Sequence, residues 1–459
     1  MHRTIVLDVV GLTPGLLGEH TPALAALQRA GASSPLGTVL PAVTCSVQST
    51  FTTGLPVDGH GCVGNGWYFR ELAEIGFWKQ SNHLVSGDKI WDVARRRDPS
   101  FRCAKLFWWF NMYSTADFAV TPRPMYPADG RKLPDVYTKP PALRASLQER
   151  LGQFPLFDFW GPRAGITSSK WIAASTIDVW REQRPTLAMV YLPHLDYVLQ
   201  REGPNGPSVP AELRAVDAVC GDLIEFAQRD GARVIVLSEY GITPVDGAVH
   251  LNRTLREADL LTVRTELGRE LLDAGASRAF AVADHQVAHV YVQEPALVGD
   301  VKRLLEQVPG VERVLDDEAK RAAGLDHMRA GELVAISAPD KWFSYYYWLD
   351  DDRAPDFART VEIHRKPGYD PVELFLDPKL VAPKATVAWK LARRKLGFRT
   401  LMDVIPLDAS LVKGSHGRLP SSERDGPVFI SSVPELVPAG PIAATEVKDL
   451  ILEHIFQDV

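Results

Sequence analysis

The chain has 459 residues, of which 46% are hydrophobic and 24% charged, with a formal net charge of −6. This composition excludes a disordered or fibrous protein, and the length fits one large domain with an insertion or two domains. The slight acidity gives no reason to expect a nucleic acid polymer or an anionic membrane as partner, and no apolar run is long enough for membrane insertion.

Residues 1–35 read as strand, loop and helix. The run RTIVLDVV at 3–10 holds Asp8 inside an apolar stretch. The acid interrupts the run and no small-residue cleavage site follows, so the run reads as a first strand and not as a signal peptide. A helix is expected over 22–30, ended by Gly31. The stretch LGTVLPAVTCSVQSTFTTG at 36–54 then places Thr44 after a proline-bearing loop and at the start of a helix. Two readings of Thr44 are open. It caps the helix, as threonine commonly does, or its hydroxyl stands beside an anion held at the helix N-terminus.

The glycine-dense stretch at 58–71 reads as a loop centred on Asn65. Its amide either donates to a bound oxygen or merely tolerates a left-handed turn. A helix is expected over 86–98 and an aromatic strand over 103–110, followed by an irregular Pro- and aromatic-rich excursion at 112–162. Aromatic residues of such an excursion serve packing or line a substrate pocket. After a helix over 166–183 come the strand PTLAMVYLPHLD (185–196), a loop from Gln200, a helix over 210–230 and the strand ARVIVLSEYG (232–241). Three apolar strands thus deliver Asp8, Asp196 and Glu239, and ligands of open α/β sheets collect beyond such strand ends. The pattern changes near residue 279 to a small β-α-β-α unit. The chain then returns through GELVAISAP, the aromatic KWFSYYYW and a Pro/Gly-rich loop to SHGRLP around His416. The basic run at 390–399 reads as the wet face of a helix. The fold class is therefore α/β, a doubly wound and mostly parallel sheet. Its expected division is a core over 1–275, an inserted small α+β cap over 276–335, and the rest of the core over 336–459. Cysteines 45, 62, 103 and 220 show no CxxC spacing, which favours a reducing, cytoplasmic setting.

These residues resemble the alkaline phosphatase superfamily, in its nucleotide pyrophosphatase/phosphodiesterase and phosphonoacetate hydrolase branch. Asp8 in VLDVVG matches the acid ending the family's first strand. PAVTCSVQSTFTTG matches the segment of the nucleophilic threonine, Thr44, and HGCVGN places Asn65 at the position that binds a phosphoryl oxygen. DYVLQREGP, SEYGITPV and SHGRLP match three elements that hold two zinc ions in the family. The resemblance therefore implies a metal set of Asp8, Thr44, Asp196, Gln200, Glu239, Tyr240 and His416. Three of these depart from the pattern: Gln200 and Tyr240 stand for histidines, and Glu239 stands for an aspartate. The remaining set is rich in oxygen, which suits one or two divalent ions, zinc or else manganese or magnesium. His194, His250 and His285 are further imidazoles, read as structural or as replacements for a missing ligand. The implied activity is metal-dependent hydrolysis of a small phosphodiester or pyrophosphate through a phosphoryl-threonine. Two alternatives stay open: a non-hydrolytic binding or scaffold member, and a group transferase using the same site.

Overall fold

The computed structural model describes residues 1–458. Its centre is an eight-stranded sheet in the order Ala32–Pro35, Val428–Ser431, Arg233–Leu237, Thr4–Val9, Leu187–Leu192, Cys103–Leu106, Phe118–Pro122, Val136–Lys139. The five strands from Arg233–Leu237 to Phe118–Pro122 are parallel, and antiparallel strands close both edges. The sheet is doubly wound, as the alternation of strands and helices predicts.

Alternate residues of the central strands point to opposite faces. Ile5, Leu7 and Val9 belong to one core, with Trp171, Ile172, Leu213 and Leu223 of the helices Ile166–Gln183 and Val209–Arg229. Val6, Leu187, Met189, Ile235 and Leu237 belong to the other, with Val47, Phe51, Trp91 and Ile451 of the helices Thr44–Thr53, Ile90–Arg97 and Val447–Phe456. Asp8 shares the parity of Val6, so its carboxylate faces the helix that begins at Thr44. Register places Asp8 beside Leu237, two residues before Glu239.

A second sheet of four antiparallel strands runs Ala279–Asp284, Val287–Val292, Leu333–Ser337, Val311–Leu315, with the helices Val298–Glu306 and Asp317–Ala322. Residues 333–337, expected to carry the chain back to the core, pair inside this sheet instead. The expected β-α-β-α order also lacked its leading strand, Ala279–Asp284. The first hairpin turns at His285, which takes φ +61°.

Three further expectations are corrected. The aromatic strand stops at Leu106, because Phe107 and Phe110 take left-handed φ of +63° and +52° and lift the chain off the sheet. The excursion at 112–162 is more regular than its composition suggests: it supplies both strands at one sheet edge and the helix Ala142–Leu151. The strand of 185–196 ends at Leu192, and His194–Glu202 is a helix, so Asp196 and Gln200 lie one turn apart on it and not in a loop.

That helix is fixed against the segment bearing His416 by a close backbone approach. A Cβ on Gly414 would stand 2.0 Å from the carbonyl oxygen of Leu199. Gly414→Ala is therefore expected to destabilise the protein by about 3 kcal/mol, read as a lowered denaturant midpoint. An unchanged midpoint would show that this packing is not tight.

Candidate active site

Thr44 is the first residue of the helix Thr44–Thr53; Val43 holds the cap position, and no side chain caps the helix. The capping reading of Thr44 therefore fails. Its hydroxyl instead lies 3.2 Å from the Tyr240 hydroxyl. The adjacent Cys45 N–H donates to Asn65 Oδ1 at 3.0 Å, so one free donor of the helix start is already satisfied. Asn65 is held from behind by Asp284, which accepts from its backbone N–H (2.7 Å) and its side-chain amide (3.1 Å). The turn reading of Asn65 fails as well, since its φ is not among the positive ones.

Asp8 and Glu239 meet without exposure to solvent. Gln48, one helical turn after Thr44, donates to Asp8 Oδ2 at 3.0 Å and to Glu239 Oε1 at 2.6 Å. Its own oxygen accepts from the Trp109 N–H at 2.8 Å, which fixes the orientation of the amide. Burial raises Asp8 to about 7. Burial, followed by the charge of Asp8, drives Glu239 well above the usual carboxylate range. A shared proton or a cation is what such a pair requires.

Beside them lies a layer of rings. Tyr240 stacks flat on His416 at 3.6 Å, His416 touches His285 at 3.8 Å, and His285 stacks on Tyr369 at 3.6 Å. His416 Nδ1 bonds the Ala42 carbonyl at 2.8 Å, while its Nε2 is 3.8 Å from Asp196 Oδ1. Burial holds both imidazoles well below their ordinary value, hence neutral. Asp196, raised by burial to about 7, accepts from Gln200 at 2.7 Å and from Tyr240 at 3.4 Å. Gln200 also exchanges hydrogen bonds with Tyr369 at 2.9 and 3.0 Å.

The expected set thus converges, in two groups joined through Tyr240: Asp8, Glu239 and Thr44 in one, Asp196, Gln200 and His416 in the other. Of the extra histidines only His285 is at the site. His194 lies 2.6 Å from Glu212, and His250 bonds Ser344 at 2.5 Å. Gln48, Asp284 and Tyr369 went unnoticed in the sequence. Gln48 alone had a local signal, its place four residues after Thr44 on the same helix face.

The residues do not fit a two-ion cage. Among the described residues no three His, Cys, Asp or Glu side chains form a cation-holding group. At the second group, Gln200 directs its amide N–H at Asp196, and the Tyr240 ring covers the imidazole. One ion fits better at the first group. Asp8 Oδ1 and Glu239 Oε2 are buried oxygens without a partner, and with the Thr44 hydroxyl they make the oxygen set a hard cation takes.

The site is closed. Thr44 is 3% exposed and Asn65 2%. Trp78, Trp109 and Trp160 extend the ring layer outward from Tyr369. The cavity that Trp78, Trp160 and Tyr369 line holds about 10 Å³, room for a water and not for a substrate.

The model of a family described as type I phosphodiesterase / nucleotide pyrophosphatase matches residues 4–370. An uncharacterized pyrophosphatase/phosphodiesterase of Schizosaccharomyces pombe is 25% identical over 216 residues, 44% of this chain; the match spans 37% of that relative's length. Murine ectonucleotide pyrophosphatase/phosphodiesterase 5, in an inactive form complexed with AMP, is similar over 100% of this chain and 96% of its own, at 14% identity and a TM-score of 0.60. Phosphonoacetate hydrolase of Sinorhizobium meliloti, complexed with phosphonoformate, is similar over 99% and 96%, at 17% identity and a TM-score of 0.62. At these identities the solved structures show the fold, which is that of the alkaline phosphatases, as the sequence resemblance implies.

Two consequences follow from the buried acids. Their folded values lie above the ordinary range near 4, so between about pH 4 and about pH 7 the folded chain keeps protons that the unfolded chain has lost. The acids therefore favour the folded chain more as pH falls through that window, against the histidines that burial keeps neutral, so in chelator the stability of the parent relative to Asp8→Asn is expected to rise as pH falls from about 8 to about 5.5; thermal melts of both proteins across the interval check it. Gln48→Glu adds a third carboxyl between two others and is expected to cost about 3 kcal/mol in a denaturant titration.

Proposed function

We propose that this chain, which belongs to the type I phosphodiesterase / nucleotide pyrophosphatase family, hydrolyses a small phosphoester with Thr44 as its nucleophile. The observation that supports this reading is a threonine hydroxyl at a helix start beside Glu239 and Tyr240, with Asn65 held by the N–H of the next residue. In the first half-reaction the Thr44 oxygen bonds to phosphorus while the bond to the leaving oxygen breaks. In the second, water displaces the threonine oxygen from phosphorus. Burial, followed by the charge of Asp8, holds the Glu239 carboxyl well above its ordinary range; a cation that offset this would leave its carboxylate able to take the hydroxyl proton. Asn65 keeps an amide hydrogen for a phosphoryl oxygen, with Asp284 fixing the direction of that amide. Asp284 belongs to residues 276–335, which we assign as the cap. Asp8, Glu239 and Thr44 would hold one divalent ion, manganese or magnesium before zinc given the all-oxygen set. Such an ion supplies charge neutralisation and a lowered hydroxyl pKa. Gln200 and Tyr240 then act as hydrogen-bond donors to Asp196, with the Tyr240 oxygen 3.2 Å from the Thr44 hydroxyl, in place of the ligand roles expected of them.

A second reading, a binding or scaffold member without turnover, is favoured by the closed site and by the lack of a three-ligand group among the described residues. The same experiment separates the two. Chelated protein is assayed against phosphodiesters, phosphomonoesters and phosphonates with manganese, magnesium or zinc added, and the products are identified. Turnover restored by a metal, reduced more than about 10³-fold in Thr44→Ala at an unchanged melting temperature, is the expected outcome. Full activity in Thr44→Ala removes the nucleophile. No turnover with any metal favours the binding reading, and a phosphorylated acceptor other than water identifies a transferase.

A further inference from the structure

The helix Pro383–Lys395 is turned inside out. A surface helix ordinarily sets its apolar stripe against the core. Here Ala385, Ala388, Trp389, Ala392 and Leu396, spaced i, i+3, i+4, i+7, i+11, lie on one face, and all are exposed. Trp389 is 65% exposed and Leu396 73%. None of the helix residues is buried; Thr386, Val387 and Lys390 make the half-buried side toward the protein, and Lys390 pairs with Asp403. At 100° per residue, Lys384 and Lys395 fall on one border of the apolar stripe and Arg393 on the other. Val381, Leu391, Phe398 and Leu401 are exposed around it.

Charge is as lopsided as hydropathy. Between Asp377 and Asp403 the chain carries seven Lys and Arg and no acid, on a protein of net charge −6. An exposed apolar stripe rimmed with cations needs a partner that is apolar in its interior and anionic at its surface. A second copy of the same face would set cations against cations. A nucleic acid would meet the charges and leave Trp389, Leu396 and Val381 uncovered.

We propose that this helix and the segment to Leu401 form a peripheral docking surface for an anionic lipid bilayer. Trp389 and Leu396 enter the level of the headgroups, and the basic side chains lie along the phosphates with their stems over the apolar stripe. No described helix is long and apolar enough to cross a membrane, so attachment is to one leaflet. The basic run is thus wet on its rim and lipid-facing on its stripe.

Full-length protein is sedimented with vesicles of phosphatidylcholine, alone or mixed with phosphatidylserine, at low and high salt. The protein is expected to pellet with the mixed vesicles only, and salt is expected to release it. Trp389→Ser/Leu396→Ser should abolish pelleting. Arg393→Gln/Lys395→Gln should weaken it by about fivefold per charge removed. Both pairs are exposed, so thermal melts matching the parent protein verify the fold. Failure to pellet with mixed vesicles overturns the proposal. So do pelleting that both variants retain, a dimer that Trp389→Ser/Leu396→Ser dissolves, and retention of a nucleic acid duplex without vesicle binding.

Discussion

Two carboxyl groups side by side in a dry sheet end are the constraint from which the site is built. Asp8 and Glu239 leave adjacent parallel strands at the same edge, and neither touches water. Two bare negative charges side by side at such depth would repel by about 4 kcal/mol, a large fraction of a domain's whole stability. Something positive has to stand between them. Part of it is the Gln48 amide, whose two hydrogens are shared between the acids because its oxygen is claimed by the Trp109 N–H. The chain leaves the sheet at Phe107 with a left-handed φ, and that departure brings the Trp109 backbone over Gln48. The odd geometry after one strand and the orientation of one amide on another element are thus a single arrangement. The rest of the neutralisation comes from a proton or a cation. The same local field therefore governs stability in one state and activation of Thr44 in the other.

The second half of the site solves a different problem. Where the family pattern has two imidazoles, the chain has a carboxamide and a phenol. Gln200 cannot lose a proton, and burial drives the Tyr240 hydroxyl well above its ordinary range. Both are donors, and both aim at Asp196. A carboxylate surrounded by donors is satisfied without metal. The flat contact of Tyr240 with His416 adds area that an imidazole would not. His416 Nε2 is left with no hydrogen-bond partner, which marks it as the ring whose role depends on what enters the site.

Much of this was legible. The alternation in VLDVV puts Asp8 on the face of Val6, and apolar strands ending in acids pointed to one crevice for Asp196 and Glu239. Thr44 was readable from its place before a helix. What escaped was set by distant contacts or by backbone angles. Tyr369 sits in an irregular loop 169 residues from Gln200. Asp284 depends on a hairpin whose first strand was not recognised, so nothing tied it to Asn65. The aromatic run at 103–110 imitates a strand through its composition, and only the left-handed φ at Phe107 and Phe110 breaks it, a feature unusual for bulky residues. Gln48 looked like one more polar residue of a Ser/Thr-rich helix. Its importance comes from what two other strands place opposite it.

A closed site and a hydrolytic role are compatible only if part of the cover moves. Asp8 lies in the central sheet between ladders on both sides, and Glu239 follows the adjacent strand by two residues. The residues at 361–375, which carry Tyr369, contain no strand and one short 3-10 helix, Pro371–Leu374. Within them Lys366 is buried against Asp370 and Glu373, both at 2.7 Å, and Glu373 also accepts from the Trp160 indole at 2.6 Å. Separating those ions in a dry interior would be expensive, whereas moving them as one body keeps every charge paired. The segment is anchored where Arg359 accepts from Ile405 and where Asp377 donates to Val404. The chain between those two anchor pairs includes the exposed basic helix. Tyr369 meets Gln200 and His285 from that body and its backbone N–H donates to Ala283, so a cover that moved with it would have to break all three contacts together.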